Sequence, residues 1–87
     1  MCTMISTKHP FSGQAKGRAG WFPIGQLYLG YDHPEREQSE HAVLIDFVKE
    51  EEGPNARLAV ELSIDAAADL ARRLLETVEE ANRYERR

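Results

Sequence analysis

With 87 residues, 41% hydrophobic and 30% charged content, the chain has the composition of a soluble globular domain, and no apolar run approaches the roughly 18 residues a membrane span needs. Its formal net charge of -4 argues against nonspecific nucleic-acid binding, which depends on clustered lysine and arginine. One cysteine excludes an internal disulfide, and the opening "MCTMISTKHP" lacks the basic start and apolar core of a secretory signal, so the expected compartment is the cytoplasm. The length suits a single free-standing domain, 1–87, near the size where stability is marginal and association helps.

In chain order, "CTMIST" fits a short edge strand. "FSGQAKGRAG" is too rich in glycine for an ordered element and reads as a mobile loop; Lys16 and Arg18 within it are components of an anion cradle, but the GxxxxGK[ST] order is missing. Trp21 and Phe22 follow as anchors that return the chain to the core. Residues 26–31 read as a strand with Leu27, Leu29 and Tyr31 on one side. "YDHPE" then ends it, because Asp32 can bond its own backbone and Pro34 disfavours helix at His33.

"HAVLIDFV" is apolar almost throughout, as in a central strand, while "RLAVELSI" alternates strictly. Gly53-Pro54-Asn55 between them is turn chemistry, which predicts a β-hairpin with Glu50, Glu51 and Glu52 as a solvated tip. A symmetric hairpin pairs Val48 with Arg57, Asp46 with Ala59 and Leu44 with Glu61 on one face. The other face then pairs Phe47 with Leu58, Ile45 with Val60 and Val43 with Leu62, and this bulkier set is expected beneath a helix. That helix is the most secure element: from Ile64 onward Ala67, Leu70, Ala71, Leu74, Leu75, Val78 and Ala81 recur at three- and four-residue steps. Asp65 suits its N-cap, and Asp69 with Arg73 and Glu79 with Arg83 have favourable ion-pair spacing.

The fold class is therefore α+β: two layers, a three- to four-stranded antiparallel sheet and one C-terminal helix packed on one face. One helix cannot cover both faces of a sheet. The face carrying Ala42, Leu44, Val48 and Ala59 calls for company, so a homo-oligomer or a larger protein partner is expected, with no nucleic acid and no membrane.

Three constellations are candidate sites. The acid-histidine pairs Asp32-His33 and Glu40-His41 flank a charged loop; with Cys2, and less directly His9, they offer ligands for zinc or another divalent metal, although the spacing matches no diagnostic motif. The plainer reading gives His41 a strand-entry role, with its ring bonded to Glu40 or backbone. Asp46 and Glu61, diagonal neighbours in the expected register, could work as acid and base, but Arg57 on the same face favours a plain ion pair. Cys2 reads as an inert thiol, or as an exposed nucleophile or ligand if Met1 is removed.

The stretches "MCT", "AKGRAGWFP", "YDHP", "EHAVLIDF" and "GPNARLAVELS" resemble a family of short bacterial proteins characterised only as a domain of unknown function. The likeness runs over nearly the whole length and implies a single domain without bringing an activity. Cys2, Trp21, Asp32, His33, Glu40, His41 and Asp46 match its recurring pattern, which draws attention to the acid-histidine pairs. Two classes of function follow: a small cytoplasmic oligomer or accessory subunit with a metal or small-ligand site near His33 and His41, or an enzyme using His41 or Asp46 and Glu61 for acid-base chemistry at a subunit interface.

Overall fold

Period-two alternation, closed by turn residues, builds the centre of the molecule. A computed structural model of the chain describes residues 4–86. β1 (Ile5–Pro10), β4 (Gln26–Asp32), β5 (Ala42–Val48) and β6 (Arg57–Leu62) form an antiparallel sheet in the order β1-β4-β5-β6, while β2 (Gln14–Gly17) and β3 (Gly20–Pro23) form a separate hairpin. A 22-residue helix, α1 (Ile64–Glu85), follows β6 directly. The class is α+β, one C-terminal helix packed with an antiparallel sheet.

The β5–β6 register is the expected one, from Val48↔Arg57 through Ile45↔Val60 to Val43↔Leu62. A single turn of 3-10 helix, Glu50–Glu52, and Gly53 at φ 88° close the hairpin, a conformation that penalises any residue with a Cβ. One face of the sheet gathers Leu27, Leu29, Val43, Ile45, Phe47 and Val60; this is the apolar face. The opposite face carries Lys8, Tyr28, Asp46, Arg57 and Glu61 and is tied by polar bonds: Tyr28 donates to Glu50 at 2.7 Å, and Lys8 lies 3.7 Å from the same carboxylate.

The glycine-rich segment departs from expectation. It is the ordered β2–β3 hairpin rather than a loop: Gly17 serves close packing, since a Cβ there would sit 2.9 Å from the Asn55 carbonyl and 3.1 Å from that of Arg57, and Gly20 supplies the turn at φ 120°. There the hairpin meets β6, and Ala15, Phe22 and Ala56, backed by Ile24, make the one buried apolar cluster among the described residues. Phe22 is the anchor; Trp21, expected to share that role, is 70% exposed because it faces away from the cluster.

The helix also differs in detail. Its N-cap is Ser63, whose hydroxyl accepts from the Ala66 amide at 3.1 Å, so Asp65 falls in the first turn, where its charge suits the positive helix end. Asp69 accepts from Arg73 as expected and also from Arg72, while Arg83 bonds Glu80 rather than Glu79. More consequential is where the helix goes. Ser63 alone separates Leu62 from Ile64, and α1 meets β5 and β6 through its N-terminal end, where Ala67 and Asp69 are its only half-buried residues among those described. Val43, Ile45 and Phe47, expected beneath the helix, have it over one corner only. Beyond that corner Leu74, Leu75 and Val78 are 56%, 68% and 53% exposed. The result is an elongated molecule, 51 × 32 × 20 Å.

Candidate functional site

Three rings converge where β4 ends and β5 begins. Tyr31 shares the face parity of Leu27 and Leu29, and β4–β5 pairing sets it opposite Val43, two residues after His41. The rings of Tyr31 and His41 lie 5.6 Å apart between centroids, and those of His41 and His33 lie 4.7 Å apart. Sequence reasoning missed Tyr31 in this group; its parity, read together with pairing to residues 42–48, was the available signal.

His33 reaches this position through the loop it opens. The Asp32 carboxylate accepts the His33 amide at 2.8 Å, the strand-ending role expected of "YDHP". Across the loop, His33 Nδ1 lies 3.3 Å from the Glu40 carbonyl oxygen. A carbonyl can only accept, so Nδ1 is the donor in this contact and Nε2 is left for another partner. His41 is half-buried between Tyr31 and His33.

Other candidate ligands do not join them. His9 bonds Thr7 at 3.0 Å, and its strand partner Leu27 lies at the opposite end of β4 from Tyr31. Cys2 lies outside the described residues. No group of three or more His, Cys, Asp or Glu among the described residues is arranged to hold a metal ion. One chain thus brings together two imidazoles, half of a tetrahedral zinc set.

The carboxylates have other engagements. Register places Leu44 opposite Glu61 and Asp46 opposite Ala59, so Asp46 and Glu61 are diagonal neighbours as expected. Arg57 donates to Asp46 at 2.9 Å, the ion pair anticipated from sequence. Glu61 accepts three consecutive backbone amides, Glu35 at 2.7 Å, Arg36 at 2.7 Å and Glu37 at 3.1 Å, and so clasps the loop over the polar face. Those bonds stabilise the anion and hold its pKa below the ordinary glutamate value. General acid catalysis near neutrality requires the opposite shift. The clasp itself was not readable in advance, since its partners are backbone groups more than twenty residues upstream. Beside it, Glu35, Arg36, Glu37, Arg57, Ala59 and Glu61 line an open groove of about 460 Å3.

A further opening lies on the apolar face. Ile5, Leu29, Gly30, Tyr31, Val43 and Ile64 line a groove of about 420 Å3 at the root of α1. Among the described residues, no helix is long and apolar enough to cross a membrane.

Fold and site define a small α+β protein with a paired-imidazole corner and an uncovered apolar face. The chain belongs to the family of unknown function DUF6295, whose model matches residues 1–86. No curated protein and no solved structure matches it.

Proposed function

We propose that this protein works in the cytoplasm as an assembly, either a homo-oligomer or a small subunit on a larger protein, and that His33 and His41 take a small ligand or a divalent metal such as zinc. The observation that carries the reading is the deficit of burial. The chain exposes 6823 Å2, whereas a folded monomer of 9.9 kDa exposes about 5,200 Å2 by the usual scaling with mass. Its radius of gyration is 14.8 Å against about 12 Å for a compact domain of this length. No large side chain among the described residues is fully buried. Burial of apolar surface is the dominant favourable contribution to folding, so a chain with this much left uncovered gains its stability in contact with something else. Light scattering on the native chain should return a multiple of its mass; a strict monomer that recovers no partner from cells overturns the assembly reading.

Convergence of the two histidines supports the ligand half of the reading. Two imidazoles do not complete a zinc shell, so further ligands come from Cys2, from a second copy or from the bound molecule. Metal analysis of tag-free protein should find a divalent ion that the His33→Ala/His41→Ala double variant loses; metal absent or unchanged rejects ligation. Acid-base catalysis by His41, or by Asp46 with Glu61, has less support, because Arg57 and the loop amides already engage both carboxylates.

A further inference from the structure

Two halves of one missing core sit apart on this chain. The sheet offers an apolar face with no layer above most of it. The helix offers an apolar stripe with no layer beneath most of it. In a two-layer domain each is the other's natural cover, yet within one copy the helix meets the sheet at one corner only. Strand-to-helix connections that fold a helix back on its own sheet use about two to six residues. Here there is one, Ser63, and it is fixed twice over: its hydroxyl caps the Ala66 amide, and its carbonyl accepts from Ala67 at 2.9 Å. In this arrangement α1 leaves the sheet from that single residue, with its apolar stripe beyond the sheet's corner.

We infer that two copies of this chain exchange helices, the stripe of Leu70, Leu74 and Val78 from each lying on the apolar face of the other. This rests on the assembly reading and names its partner as a second copy. Three observations favour a second copy over an unrelated protein. First, the complementary surfaces are both present on every chain, so a single two-fold operation covers both faces and both stripes, and a short hinge is the usual circumstance of such exchange. Second, the area agrees. The excess over a compact monomer is about 1,600 Å2 per chain, or about 3,200 Å2 for two, within the range of obligate homodimers. Third, the length agrees. At 1.5 Å per residue, a 22-residue helix is about 33 Å long, enough to cross a seven-residue strand of about 24 Å from end to end. Helix-to-helix pairing would cover the stripes but leave Leu29, Val43 and Ile45 only half-buried, so the sheet is the better seat.

The test is photo-cross-linking. p-Benzoylphenylalanine replaces Leu74, and in a second protein Val78, and equal amounts of isotope-labelled and unlabelled full-length chain are refolded together. Exchange predicts cross-links from α1 to β4 or β5, with mixed- and single-isotope products in near-equal amounts. Single-isotope products alone would show that the helix closes on its own sheet. Mixed products joining α1 to α1 would show helix pairing. Either result overturns the exchange and leaves the assembly reading standing. Light scattering runs beside it: a chain that is monomeric alone but bound to a larger protein overturns the exchange only, and a monomer with no partner overturns both. Using two probe positions guards against one of them preventing folding.

Discussion

The two ends of this molecule solve the same problem differently. At the β2–β3 end, four-residue strands and a tight glycine contact are enough to enclose Phe22 between Ala15 and Ala56, because Gly17 lets the hairpin close against the start of β6. At the α1 end, far more apolar surface is present, yet Leu74 and Leu75 remain exposed, because the helix runs on past the corner of the sheet that it meets. Close approach of neighbouring backbone, more than hydrophobic content, decides which apolar groups this chain hides by itself.

The sharpest way to separate the two ends is to truncate a side chain in each. Phe22→Ala should cost about 3–5 kcal/mol, the ordinary loss for an aromatic removed from a packed cluster, and the loss should not depend on protein concentration. Leu74→Ala should act through association. A two-fold dimer loses the contact twice, about 4 kcal/mol in all, which weakens self-association on the order of a thousandfold, so thermal midpoints of this variant should fall further on dilution than those of the parent. Equal, concentration-independent losses at both positions would erase the distinction between the ends. The smallest effect is expected at Glu61, which belongs to neither. Its folded pKa lies below the ordinary value of about 4.3, so its contribution is present above that value and is lost as pH falls through the folded pKa. Urea unfolding at a series of pH values should therefore show Glu61→Gln less stable than the parent near neutrality, with the gap narrowing below about pH 4. A gap independent of pH would assign the loss to geometry rather than to charge.

How much of this was legible beforehand follows from where the physical information resides. The β5–β6 hairpin was readable to the residue, because strict alternation in "RLAVELS" fixes which residues share a face and a symmetric hairpin about the Gly53-Pro54-Asn55 turn selects one register among those that alternation allows. The β2–β3 hairpin was not, since four-residue strands carry too little periodicity and glycine reads as disorder when its purpose, the approach of Gly17 to β6, is a tertiary contact. The helix was plain from its stripe, but the extent of its cover was not, because periodicity specifies a face without specifying what lies against it. For the site, the pairing of His33 with His41 could be suspected from two acid-histidine steps around one loop. Tyr31 beside them, and the amides held by Glu61, depend on strand pairing and on backbone groups that no residue type announces.

The strand order bears on how far such a protein can grow. β1 is an edge strand, and it carries Pro10, which has no amide hydrogen to donate, and Lys8, whose charge resists a neighbouring strand. At the other margin, the β2–β3 hairpin stands beside the start of β6. With ladder extension discouraged along β1 and at the start of β6, the proposed contact through the broad surface would end in a closed, countable particle instead of a fibre.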